Sequence, residues 1–540
     1  MKLPIIIAAG CILLTACTKS LDEKAYSTTT QENYNYTEKD FYSVIGKAYA
    51  NLRTFWGEQD YYMLQEASSD EIVMPANASG WDDGGIYKRL HLHNWNADQS
   101  HVNNTWSKLY AGILNTNRII AQLKDSTAPV PITVGVNAAI AEMRATRALY
   151  YWLVCDNFGD APLVTEWKEV VGTEQLPTKN TRKEIYQFLV NELTAAIPEL
   201  SEEKSKLYYG RFNKWAAKAL LANIYLNAAV YVGEDHWTDC LALCNDIIAS
   251  GQYSLEANYR DIFRTNNESS TEIIFSIPFD ENLGTNFYVH MYSWHAALRA
   301  KFNMQATPYG AGCSKGIPQF IDTYDAADSR LADSWMMGPQ FAADGVTPLT
   351  GSYELSGQPL VFTKNLPDGL YTGEAEGYRM NKFEVKNGAK RDLDNDFPFF
   401  RYAQVLLMKA ECLLRTGNSG DAATLVSEVR ARDFKGDPAL AVVTAADLER
   451  DSRYNWGYVV NYSTTEKGDA TAVQHGGLYD ELGWEFAWEG YRRRDMIRFG
   501  TYTSKSWLSH RPNGAYRKVF PIPQQVINGN PKMVQNPDYQ

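Results

Sequence analysis

Apolar residues recur at helical spacing in segments that come in twos, and this pairing constrains the fold more than any other feature of the 540-residue sequence. Between residues 104 and 123 they fall at Trp106, Leu109, Tyr110, Ile113, Leu114 and Ile120; between 137 and 157 they fall at Ile140, Met143, Ala148, Tyr151, Trp152 and Cys155. Steps of three and four put these side chains on one face of each helix. Gly159-Asp160-Ala161-Pro162 stops the second helix, because neither Gly nor Pro continues one well. In the next pair, Thr181 caps a helix running to about residue 197, with Glu184 placed to close a capping box. Its partner covers 213–231, where Ala216, Ala219 and Ala222 let two helices approach closely. Residues 40–55 and 237–250 read as further helices, and 400–415 and 419–434 as a later pair joined at Gly417-Asn418. Helix pairs with small contact residues predict a mainly α fold on a tetratricopeptide-like scaffold. The strict 34-residue consensus of such repeats is absent, so the scaffold is a degenerate one.

Long irregular segments separate the pairs, near 57–103, 255–395 and 435–478. They are rich in Gly, Pro, Asn, Asp and aromatic residues, and inserts of this length usually carry function. From Phe520 onward the prolines predict extended backbone rather than helix. A chain this long is either one helical platform with inserts or two domains, since single cores stop growing near about 250–300 residues. The formal net charge of −12 disfavours nucleic acid as a partner. Tyr and Trp are abundant (34 and 14), enough to fill a core and still furnish a surface site. Cys155, Cys240, Cys244, Cys313 and Cys412 have no disulfide-like spacing and read as buried thiols.

The N-terminus is a secretion signal: Met1 and Lys2, an apolar run over 3–14, then Leu14-Thr15-Ala16-Cys17. The run is too short to span a bilayer, which takes about 20 apolar residues. A cut before a cysteine resembles the lipobox of bacterial lipoproteins. That resemblance implies a signal peptide over 1–16, lipidation of Cys17, a polar tether over 17–35 and a body over 36–540. An ordinary secretion signal with a chance cysteine is the plainer alternative.

Five blocks, in order, resemble the SusD/RagB family of outer-membrane lipoproteins. They are AEMRATRALYYWLVCDNFGDAPLV (141–164), NKWAAKALLANIYL (213–226), RYAQVLLMKAECLL (401–414), ELGWEFAWEGYRRRDMIRFG (481–500) and FPIPQQVINGNPKMVQNPDY (520–539). Val526 and Asp538 depart from the family's usual acidic residue and glycine. Ser20-Leu21-Asp22-Glu23 is similar to the acidic surface-export signal of Bacteroidetes lipoproteins. The resemblance implies a SusD-like fold and a lipid-anchored protein on the extracellular side of the outer membrane. Such a protein is a hinged lid on a SusC-type TonB-dependent barrel and captures oligosaccharides without catalysis or cofactor. Some relatives carry peptides instead.

A neutral sugar offers hydroxyls and a weakly apolar C–H face, so its site needs flat aromatics and short polar groups. Trp81, Asp83, Trp95 and Asn96 in the first insert are the expected contacts, joined by Trp294 and Tyr309 in the second. Asp328 and Arg330 read as structural. Three other chemistries compete. Glu485 and Glu489 could be a glycosidase pair, but four residues apart on one helix face, with Arg492, Arg493, Arg494 and Arg498 following, they read better as an ion-pair network. His91 and His93 alternate as zinc ligands can, with no third ligand fixed by spacing. Asp70, Glu71, Asp82 and Asp83 could hold a structural calcium, or simply form turns. A helical-repeat adaptor that binds only protein is the remaining alternative.

Overall fold

The computed structural model describes residues 38–125, 135–168 and 172–539. The signal peptide, Cys17 and the tether lie outside the described residues. The principal helices follow the apolar periodicity: α1 (Glu38–Ala50), α2 (Ser100–Lys124), α3 (Val136–Phe158), α4 (Arg182–Ala196), α5 (Lys214–Leu226), α6 (Trp237–Ala249), α7 (Tyr402–Arg415) and α8 (Ser419–Arg430). They pack in sequence, α2 on α3, α3 on α4, α5 on α6, α6 on α7 and α7 on α8, giving the mainly α, tetratricopeptide-like scaffold.

Local chemistry sets these helices. The Thr181 side chain accepts from the Glu184 N–H and the Glu184 carboxylate reaches back, so the expected capping box closes at the start of α4. Asn213 caps α5 by accepting from the Ala216 N–H. Gly112 on α2 lies so close to α3 that a Cβ there would sit 2.3 Å from the Tyr150 ring. Arg147 of α3 ties three helices together, donating to Asn117 of α2 at 2.8 Å and pairing with Glu192 of α4. The five described cysteines are buried free thiols, as expected. Among the described residues no helix is long and apolar enough to cross a membrane.

The inserts are stitched to this scaffold by short ladders. Strand β1 (Ile273–Ile277) pairs antiparallel with β2 (Phe397–Arg401), Phe397 opposite Ile277 and Arg401 opposite Ile273. Because β2 runs straight into α7, this ladder closes the long insert at its base. Ile72–Val73 pairs with Lys315–Gly316, and Ala76–Asn77 runs parallel to Tyr371–Thr372, so the first insert is fastened to the second. A hairpin of β3 (Gly457–Val460) and β4 (Ser463–Glu466) lies beyond, with Trp507–Leu508 on its other edge.

Helices α9 (Gly476–Phe486) and α10 (Arg492–Arg498) bring a charge network into the interior. Glu485 meets Arg330 at 2.9 Å and Arg401 at 2.5 Å, and also pairs with Arg432. Glu489 meets Lys382 and Arg401, and Asp328 meets Arg330. The ion-pair reading of Glu485 and Glu489 therefore holds, but its partners differ from the neighbouring arginines expected. The turn at Gly490 redirects the chain, and Arg492 pairs with Asp70, Arg493 with Asp156 and Arg498 with Glu411. The tail also departs from expectation, with a short helix over Gln524–Gly529. Pro523 stands at its N-cap, where no intrahelical N–H is required, and Pro531 comes only after the helix has stopped.

Candidate functional site

Two turns from different inserts meet at one surface. In the first, the Asn77 N–H donates to the Trp81 carbonyl and the Gly80 N–H to the Asn77 carbonyl. The buried Asn77 amide accepts from the Ser79 N–H and hydroxyl and donates to the Gly312 carbonyl at 3.3 Å. In the second, the Tyr309 N–H donates to Met291 at 2.7 Å and Gly310 adopts φ +57°. A Cβ on Gly310 would lie 2.8 Å from the Ser79 Cβ, so only glycine lets the turns touch and keeps that backbone unstrained. Trp81 and Tyr309, both half-buried, stand within two residues of this contact, on either side of it.

The rings are backed from below. Trp81 lies against Tyr87, centroids 5.3 Å apart, and the Tyr87 hydroxyl donates to the Glu58 carbonyl. The Arg391 guanidinium sits 4.0 Å from the Tyr288 ring centroid, and against the effect of burial the neighbouring Tyr309 and Asp392 hold its pKa above the ordinary value. Exposed Asp83 accepts from Gln59 at 3.0 Å. Burial, then the nearby Asp83 charge, raises the Glu58 carboxyl above its ordinary pKa, while Arg391 opposes the rise. Half-buried Tyr353 approaches Gly310 from the other side. Its loop is held by Glu374, which accepts from the N–H groups of Ser352, Tyr353 and Leu355 and pairs with His295 at 3.0 Å. Despite burial, these donors keep Glu374 below the usual carboxylate range. An open concavity of about 610 Å³ adjoins this turn, lined among others by Ala296, Arg299, Asn303, Thr307 and Ser352.

Of the residues expected from sequence, Trp81, Asp83 and Tyr309 come together here. Two others are corrected. Trp95 is buried, its indole N–H donating to the Tyr539 hydroxyl at 2.9 Å and its ring against Phe520. Trp294 is buried too, its N–H on the Met380 carbonyl at 2.6 Å and its ring stacked on Phe302. Both are core plugs, because each indole N–H finds an acceptor inside. Asn96 is exposed but shapes a turn, its side chain accepting from the Asp98 N–H before α2. Sequence reading missed Tyr353 and Arg391; the Gly351-Ser352-Tyr353 stretch was the available signal for the first.

The competing chemistries find no support in the geometry. His91 and His93 are buried, and burial pushes both imidazoles down to about 3. Asp70 is buried against Arg492 while Asp82 pairs with Lys88 at the surface, so the four acidic residues considered for calcium do not converge. Among the described residues no group of three or more His, Cys, Asp or Glu could hold a metal. Burial alone would raise Glu485, but Arg432, Arg401 and Arg330 hold it ionised and far from solvent, unsuited to protonating a glycosidic oxygen.

Two family models match the chain: one described as "SusD family" over residues 249–539, and one as "Starch-binding associating with outer membrane" over 19–226. The starch-binding protein SusD of Bacteroides thetaiotaomicron is 28% identical over 532 residues, covering 89% of this chain and 86% of the relative. Among solved structures, a laminarin-binding SusD-like protein superposes with a TM-score of 0.68 at 21% identity, covering 94% of this chain and 100% of the other. Surface glycan-binding protein A from Bacteroides thetaiotaomicron, solved with laminarihexaose, superposes with a TM-score of 0.66 at 18% identity, covering 92% and 99%.

Proposed function

Because the chain belongs to the SusD/RagB family, we propose that it is a lipid-anchored glycan-binding protein of the outer membrane, which captures oligosaccharides and delivers them unaltered to a SusC-type TonB-dependent barrel. The observation that supports this reading is the contact between the Ser79 and Gly310 turns, which brings half-buried Trp81 and Tyr309 into one neighbourhood beside an open concavity lined in part by Asn303, Thr307 and Ser352. The half-exposed rings of Trp81, Tyr309 and Tyr353 stack on sugar C–H faces, while Asp83, Arg391 and Asn303 reach hydroxyls. The names of the relatives, starch-binding and laminarin-binding, support a neutral glucan-like cargo. Such a shallow platform binds weakly, at about 10 μM to 1 mM, or about −4 to −7 kcal/mol.

Cys17 anchors the body. Each buried CH₂ adds about 0.8 kcal/mol, so two or more acyl chains hold it stably at the membrane. The helical scaffold faces the barrel and the inserts face the cargo. Titration of Trp81→Ala and Tyr309→Ala against starch and laminarin oligosaccharides tests capture, and unchanged affinity would sink the assignment of those rings. Purification of the anchored protein from detergent-solubilised membranes tests delivery: a large barrel should accompany it. A barrel without any glycan binding would favour the adaptor reading.

A further inference from the structure

The hairpin β3–β4 contains a strained tyrosine. At its tip, Asn461 has φ +47° and Tyr462 φ +66°, the geometry of a two-residue turn whose second position normally falls to glycine. A bulky residue there costs of order 1 kcal/mol and persists only where something holds it. Tyr462 is held by its N–H on the Pro367 carbonyl and its hydroxyl on Glu376 at 2.5 Å, yet the residue stays 57% exposed. It edges a cavity of about 360 Å³, within the usual range of small-ligand clefts. The floor is apolar and rigid: Leu366, Val459 and Leu508, with Gln319 locked by bonds to Asn455, Gly457 and Leu508. The rim is short and polar, with Asn365, Asn455 and Ser463 exposed and Asp322 already neutralised by Lys364.

An aromatic ring held at a strained tip, above an apolar floor and a rim of amides and hydroxyls, with Asp322 paired to Lys364 and the Glu376 carboxylate taken up by the Tyr462 hydroxyl and the Gly373 N–H, matches a neutral polyhydroxylated ligand better than an ion or an apolar peptide. The geometry points to a second carbohydrate subsite at Tyr462, separate from the Trp81–Tyr309 face, that grips another stretch of the same polymer. This rests on the glycan-binding reading above. Two linked contacts on one chain raise polymer affinity without improving either site alone.

Calorimetric titration of the full chain with neutral polysaccharides, starch and laminarin first, tests it. Tyr462→Gly removes the ring and suits the backbone, so its melting temperature should equal or exceed that of the parent. Its polymer affinity should fall about five- to tenfold, and Asn365→Ala should fall in the same direction. Residual polymer binding in Trp81→Ala should vanish when Tyr462→Gly is added. Parental binding by both Tyr462→Gly and Asn365→Ala overturns the second subsite while leaving the first face standing. Parental binding by Trp81→Ala with loss in Tyr462→Gly supports the second subsite and overturns the first. A parent chain that binds no polymer of the set overturns both.

Discussion

Glu485 and Arg330 meet at 2.9 Å with both side chains fully enclosed, and the same carboxylate also serves Arg401 and Arg432. Three guanidiniums share this one buried carboxylate, yet each keeps another: Arg330 has Asp328 and Glu481, Arg401 has Glu489 and Glu272, and Arg432 has Glu272. Glu485→Ala removes one charge-assisted acceptor from all three without leaving any of them unpaired, and should cost about 1.5–3 kcal/mol. Urea unfolding should show a lower midpoint with little change in slope. Glu485→Gln, which keeps shape and one acceptor, should fall between parent and alanine variant.

Burial divides the tryptophans into two classes with opposite phenotypes. Trp81→Ala and Tyr309→Ala should each lower oligosaccharide affinity about 3–10-fold, equivalent to about 0.5–1.5 kcal/mol, and barely shift the melting temperature. Trp294→Ala should instead empty a core site and cost about 3–5 kcal/mol of stability. Titration and thermal melts on the same samples separate the classes.

The Trp95–Tyr539 bond makes a finer prediction. Tyr539→Phe keeps the ring but leaves the Trp95 N–H buried with no acceptor, and should cost about 1–3 kcal/mol. Proteolysis of the tail beyond Phe520 should speed up accordingly.

Gly112 tests the close approach of α2 and α3. Gly112→Ala forces its methyl into the Tyr150 ring, whose hydroxyl is fixed on the Ala48 carbonyl and cannot swing aside. Although alanine favours helix by about 1 kcal/mol, overpacking of about 1–3 kcal/mol should prevail and lower the melting temperature.

Stability should depend on pH through two opposed groups. Burial lowers His91, His93 and His101 from 6.5 to about 3. The folded state therefore excludes their protons; their contribution is intact above pH 6.5 and shrinks as pH falls from 6.5 towards 3, by about 2 kcal/mol per ring at pH 5. Burial raises Glu66 from 4.5 to about 8, so the folded state binds that proton more tightly, and its contribution is lost as pH rises from 4.5 through 8. Between pH 4.5 and 6.5 the slopes oppose. Melts across pH should show Glu66→Gln flattening the decline above pH 6.5 and, with its opposing slope gone, steepening the rise between pH 4.5 and 6.5.

The scaffold was legible because its signals are local. The capping box at Thr181 and the apolar faces of α2 and α3 need only neighbours three and four residues away. The site was legible in part. Trp81 and Trp95 stand in the same polar loop, and nothing nearby distinguishes them. What buries Trp95 is a hydroxyl 444 residues further on, and what leaves Trp81 half-exposed is a turn that meets Gly310 from another insert. Glu485 followed the same rule: the adjacent arginines were visible in sequence, whereas its true partners, Arg330, Arg401 and Arg432, come from three distant segments. The Gln524–Gly529 helix hid behind prolines that flank it rather than interrupt it.

The tail contact also sets an order of events during manufacture. Residue 95 leaves the ribosome long before residue 539, so the pocket around its indole stays open until nearly all of the chain has been translated. Until the last residues arrive the Trp95 N–H has no acceptor inside the fold, so the tail is among the final segments to lock into place.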